Sequence, residues 1–177
     1  MSDFQQDGVL QRLTQLDDDL LAIYGLSQRF EITIVGGSAL MMMGLSSNER
    51  FTTDIDVIKN STEIEVLLDR YDMNTEVSTF LYKYPENWER RRRHVPFEGQ
   101  VLDVYTLSNE DLAITKLLSW RKVDQHDLAT MLAEQNIDLR KLDAILNDVT
   151  ELQASLEDEE WISLQNRLAS LTAGNLP

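Results

Sequence analysis

Two aspartates two positions apart, Asp54 and Asp56, constrain this chain more than any other feature. They stand in residues 53–59, TDIDVIK, whose β-branched residues and alternation read as a strand. Side chains two apart on a strand point the same way. Ile55 and Val57 therefore turn toward a core, and both carboxylates turn to the opposite side. Two such anions repel and resist burial unless a cation neutralises them. Oxygen-rich acidic pairs suit Mg²⁺ or Mn²⁺. A bare D-x-D is common, and alone it fits a solvated strand end equally well.

The segment just upstream sharpens the reading. Residues 31–35 read as a first core strand, followed by Gly36-Gly37-Ser38 and an apolar run over residues 39–45. Glycines let the backbone take positive φ and approach a ligand closely. Ser38 is expected to cap the helix that follows, whose free N–H groups would face an anion. The Ser38 hydroxyl could add a hydrogen bond to phosphate. Met41, Met42 and Met43 in that helix read as adaptable core filler, and residues 46–49 as a loop. A glycine turn beside a carboxylate pair is a much more specific signal than either alone.

The rest of the chain supplies the fold class. Residues 8–26 carry Val9, Leu10, Leu13, Leu16, Leu20 and Ile23 at helical spacing, with Asp17, Asp18 and Asp19 among the polar positions, and the pattern stops near Gly25. Residues 63–71 read as a helix, 75–82 as a strand or edge segment, and 85–96 as the least regular part. Residues 100–105, QVLDVY, are a third strand with Asp103 at its middle, where an unpaired carboxylate is costly. If that strand neighbours Asp54 and Asp56, three carboxylates converge, and Asp103 could help deprotonate an attacking hydroxyl. Ser108 with Asp111 is a capping-box pattern that opens a helix to about Trp120. Residues 124–134 and everything from 138 onward are helical in period. Strands first and helices after argue α+β, a small mixed sheet with helices packed on it and a helical C-terminal half. The expected division is a core over residues 1–105 and a helical portion over 106–177 packed on it.

Charge and composition narrow the function classes. The chain has 31 acidic against 16 basic side chains, a net charge of −15, so general nucleic-acid binding over its surface is not expected. It has no cysteine, which excludes disulfides and thiolate metal sites. No apolar run reaches ~18 residues, so no membrane span is expected. The first ten residues lack the pattern of a signal peptide, and the expected location is cytoplasmic. Arg90 to Arg93 form the one basic run. Beside Trp88 it could hold an RNA acceptor by phosphate contact and stacking, or it is a solvated loop.

The motif set GGSAL, then R-x-T-x-D-I-D-V from Arg50 to Val57, then LDVY, resembles the signature of the nucleotidyltransferase (DNA polymerase β-like) superfamily. The segments LSNEDLAITKL and RKVDQHDL are similar to the branch holding AbiEii-type abortive-infection toxins and related bacterial and archaeal proteins. The resemblance covers about residues 31–132. It implies that Gly36, Gly37 and Ser38 touch a triphosphate, and that Asp54, Asp56 and Asp103 hold metal ions. It also implies that Lys116 pairs with the triphosphate and that Asp127 lies near it. From Ser38 to Asp54 is 16 positions, longer than the commonest form of the motif, with the extra residues in the loop after residue 45. Read by itself, Lys116 stands among Ile114, Leu117 and Leu118, and equally fits a snorkelling lysine paired with an acid such as Asp111.

The expectation is thus a Mg²⁺- or Mn²⁺-dependent enzyme that moves a nucleoside monophosphate from a nucleoside triphosphate to a hydroxyl on RNA or protein. A toxin–antitoxin or phage-defence role, with a toxin or antitoxin protein as partner, follows from the resemblance alone. The rival is a binding module of the same fold acting through protein contacts. Metal-dependent phosphohydrolysis has little support, since His94 and His126 lack ligand spacing to the aspartates.

Overall fold

The computed structural model describes residues 6–45, 54–59, 61–77, 84–147 and 150–174. They belong to two compact units: Met1–Thr79 with Arg92–Leu107, and Phe80–Arg91 with Ser108–Pro177. The fold is α+β.

In the first unit, α1 (Gln6–Tyr24) buries Val9, Leu13, Leu16 and Leu20 along one stripe, while Leu10 is only half-buried and Ile23 is exposed, off that stripe. Full burial of such a side chain is worth about 1.5–3 kcal/mol. Gly25, at φ +68°, ends the helix in the left-handed region. β1 (Phe30–Ile34) leads through Val35 into α2 (Gly36–Met42). Then come β2 (Ile55–Lys59), α3 (Glu65–Arg70) and β3 (Met73–Asn74). β4 (Arg93–His94) and β5 (Leu102–Thr106) complete a mixed sheet in the order β3-β2-β1-β5-β4. β1 runs antiparallel to β2 and parallel to β5. Phe30, Ile32, Ile34, Ile55, Val57, Leu102 and Val104 are buried, the apolar face that the alternation predicts.

One α1 residue that the sequence assigns to the polar face is buried instead. Asp17 accepts hydrogen bonds from the backbone N–H groups of Gln100 (2.8 Å), Val101 (2.9 Å) and Leu102 (2.9 Å). A carboxylate satisfied by three N–H donors is stable in the interior, and here it pins the start of β5 to α1. Any side chain at Gly99 would run into the Leu102 carbonyl and the Phe97 ring, so the turn before β5 excludes one.

The second unit holds α4 (Trp88–Arg91), α5 (Asn109–Ser119), α6 (Lys122–Ala133), α7 (Leu139–Asn147), α8 (Thr150–Ser155) and α9 (Asp158–Thr172). Ser108 caps α5 as expected, its Oγ accepting from Asp111 N–H at 3.1 Å. Trp120, at φ +51°, closes α5 with its N–H on the Lys116 carbonyl at 2.8 Å.

Three local expectations change. Ser38 is the third residue of α2 rather than its cap, because the helix already begins at Gly36, after Val35. Of the strand or edge segment expected over 75–82, residues 75–77 are not strand and 78–82 lie outside the described residues, as does the loop over 46–49. The irregular stretch 85–96 contains α4 and the edge strand β4.

Candidate active site

The glycine turn and the two-aspartate strand meet at three points. Val35 N–H donates to the Asp56 carbonyl at 2.9 Å, extending the β1–β2 ladder to the turn. Ser38 Oγ donates to the Asp54 carbonyl at 3.1 Å. The Asp56 carboxylate lies against Gly36, where an added Cβ would fall 2.8 Å from Oδ2. Gly36 also has φ +64°, so two independent constraints require glycine there. The 16 positions between Ser38 and Asp54 therefore do not separate them.

Asp54 and Asp56 are both half-buried, while Ile55 and Val57 are fully buried, as the alternation predicts. The Asp56 Oδ1 atom accepts from Asn74 Nδ2 at 2.9 Å, across the register pair that joins β2 to β3. Asn74 carries no motif signal; only the parallel β2–β3 pairing brings it to Asp56. The Ser38 hydroxyl is buried, and its proton is engaged by the Asp54 carbonyl. It ties the turn to the strand and has no proton left for a phosphate. The backbone N–H groups at Gly36, Gly37 and Ser38 have no carbonyl one turn earlier in α2.

Asp103 does not join this pair. It lies opposite Glu31 on β1, whereas Asp56 lies opposite Val35. Four residues along the strand and two strands across put their Cα atoms ~16 Å apart. Asp103 is held by Arg29, Nη2 to Oδ1 at 2.5 Å and Nε to Oδ2 at 2.9 Å. Those hydrogen bonds, with the Arg29 charge, keep its carboxyl below the usual range despite partial burial. Among the described residues no group of three or more His, Cys, Asp or Glu is arranged to hold a metal ion.

Lys116 and Asp127 belong to the helical unit. Lys116 is 3% exposed. Its Nζ lies 2.5 Å from Asp127 Oδ2 and 3.3 Å from Asp124 Oδ1. Two carboxylates already answer its charge, so it is not a lysine waiting for phosphate, and its acids are not Asp111. Burial alone would raise the Asp124 carboxyl. Hydrogen bonds from Arg121 and Ser119 and the charge of Lys116 outweigh that and bring it to about 2. Asp111 instead takes a bidentate pair from Arg91, at 2.9 Å and 2.6 Å.

The basic run is divided in the same way. Arg92 donates to Glu31 at 3.0 Å and lies over the Tyr105 ring. Trp88 is buried with Tyr84 against it edge-on, so it is no stacking platform. Arg91 and Arg92 thus carry internal ion pairs.

A family model described as nucleotidyltransferase of unknown function (DUF6036) matches residues 11–171. The chain belongs to that family. The match spans both units, so the nucleotidyltransferase family includes the helices as well as the Gly36–Asp56 site. No match was found among curated proteins or among solved structures. No helix among the described residues is long and apolar enough to cross a membrane.

Proposed function

We propose that this nucleotidyltransferase moves a nucleoside monophosphate from a nucleoside triphosphate to a hydroxyl on RNA or protein, using Asp54 and Asp56 as the protein's ligands to Mg²⁺ or Mn²⁺. The observation that carries the reading is the junction of the Gly36 turn with the Asp56 carboxylate. It puts two half-buried carboxylates beside the first turn of α2, a setting in which phosphate oxygens and their cation are stabilised together.

The donor set fits a metal that arrives with its substrate. Two carboxylates are too few for an all-protein cage. Mg²⁺, however, is commonly held by one or two carboxylates plus substrate phosphates and waters. When bound, the ion would supply charge neutralisation at the reacting phosphate. The chain's own contributions are separate. Gly36 leaves room for the Asp56 carboxylate, Ser38 holds Asp54 in place through its carbonyl, and Asn74 orients Asp56. Asp103 has no part in this reading, and neither Lys116 nor Asp127 is needed to pair with triphosphate.

A toxin–antitoxin or phage-defence context, an AbiEii-type branch and a toxin or antitoxin partner remain what the sequence resemblance suggests. The second reading, a binding module without turnover, draws support from the position of Asp103, because among the described residues no third acid joins Asp54 and Asp56 to activate an acceptor. Thermal unfolding with each nucleoside triphosphate, with and without Mg²⁺, tests the site. A ligand at ~100 times its Kd stabilises by roughly 2.7 kcal/mol. A shift that needs both ion and nucleotide and is lost in Asp54→Asn supports it; no shift with any pair sinks it. Incubating the nucleotide that shifts with RNA and protein acceptors then separates enzyme from binding module by label transfer.

A further inference from the structure

The helical unit contains a cavity of about 470 Å³, within the range of small-molecule sites. α9 forms one wall with Glu159, Glu160, Ser163 and Arg167, which share a helix face at i, i+3/i+4 and i+7/i+8 spacing. Tyr84 and Leu118 add apolar surface.

Arg167 is the informative residue. It is half-buried, and its Nη1 donates to the carbonyls of Leu117 (2.7 Å) and Leu118 (3.0 Å), with the guanidinium over the Trp120 ring. The other half-buried arginines each meet a carboxylate: Arg12 with Asp72 at 3.3 Å, Arg91 with Asp111 at 2.6 Å, Arg92 with Glu31 at 3.0 Å. Arg167 has no carboxylate in ion-pair reach among the described residues, in a chain with nearly twice as many acids as bases. The last carbonyls of α5 and the Trp120 ring face give it only partial negative charge, so room is left for a full anionic partner. The cavity it lines is where such a partner can enter.

The opposite end of the same wall has the opposite sign. Glu160 caps α9 by accepting from Glu157 N–H at 3.3 Å, and Glu159 beside it is exposed. Acids in a first helical turn are ordinary by themselves. Here they stand seven residues from Arg167, ~10 Å along the axis at 1.5 Å per residue, in one cavity. A simple anion would meet the glutamates, and a simple cation would meet Arg167. We infer that this cavity binds a linear zwitterion of the amino-acid class, its carboxylate on Arg167 and Ser163 and a remote ammonium at Glu159 and Glu160. Methylenes between the charges would lie on Leu118 and Tyr84. The inference is independent of nucleotide transfer at Asp54 and Asp56.

Titration calorimetry on the full chain tests it with four probes: 6-aminohexanoate and L-lysine, which carry both charges, and hexanoate and hexylamine, which carry one each. The zwitterions are expected to bind at least tenfold more tightly than either half. Glu159→Gln, a change at an exposed position, should weaken 6-aminohexanoate about tenfold with an unchanged circular dichroism spectrum. Arg167→Gln should abolish binding, and Arg167→Lys should restore part of it. Asp54→Asn should leave binding intact, so a failure here and a failure of the nucleotide site are told apart. No heat with either zwitterion, equal binding of a half-probe, or indifference to Glu159→Gln would overturn the assignment.

Discussion

Two sets of aspartates, one in each unit, sit in different surroundings. In the helical unit, Asp111, Asp124 and Asp127 are almost fully buried, and each is answered by a cation: Arg91 for the first, Lys116 and Arg121 for the second, Lys116 for the third. In the sheet unit, Asp54 and Asp56 stay half-buried beside the Gly36 turn, and Asn74 is one of the groups that hold Asp56. A buried ion pair is expensive to break and gains little from further charge. A half-buried carboxylate beside a glycine turn is still open on one side, where a ligand can approach. On the proposed function, the difference separates acids that hold the fold from acids that hold a metal, although both sets lie in motifs of one resemblance.

Breaking the helical set should have the largest effect. Lys116→Met leaves Asp127 buried without its cation, and such losses cost about 3–5 kcal/mol. Chemical denaturation should show it as a large fall in midpoint. Next is the sheet set. Asp54→Asn or Asp56→Asn should leave the unfolding midpoint near wild type but remove the roughly 2.7 kcal/mol stabilisation expected at ~100 times Kd of Mg²⁺–nucleotide. Chelating the metal should do the same to wild type. If Asp54→Asn instead destabilises as strongly as Lys116→Met, the two sets are not different in kind. Gly36→Ala should cost about 1–2 kcal/mol from the left-handed backbone alone, and it should also weaken nucleotide stabilisation by displacing the Asp56 carboxylate.

A pH series sharpens the contrast. The Asp124 carboxyl is held at about 2 in the folded state against 3.8 ordinarily, so its contribution is fully present above about pH 4. That contribution is lost as pH falls through the folded value near 2. Asp124→Asn should flatten this part of the stability profile, and an unchanged profile would argue against the lowered value. The smallest effect is expected from Asp103→Asn. Its partner Arg29 is largely exposed, and exposed pairs contribute little. Nucleotide stabilisation should survive this change; its loss would return Asp103 to the site.

Much of this was legible in the sequence where the signal is local. The α5 cap, the glycine stop of α1 and the inward Ile55 and Val57 all follow from contacts within a few residues. Asp103 was not legible in the same way. Its motif is clear, but whether it reaches Asp56 depends on register, and parallel pairing with β1 sets it level with Glu31. Asn74 and Asp17 gave no motif signal, since each acts on backbone or side chain far along the chain.

The sequence alone determined the α+β order, the strand–turn–helix–strand unit and the shared face of Asp54 and Asp56. Period, capping and alternation are properties of neighbouring residues, and a chain carries them before it folds. Only tertiary structure decided which acids are buried against cations and which stay half-buried beside a turn. Charge pairing reaches only a few ångströms in space, and sequence spacing does not say which side chains come that close.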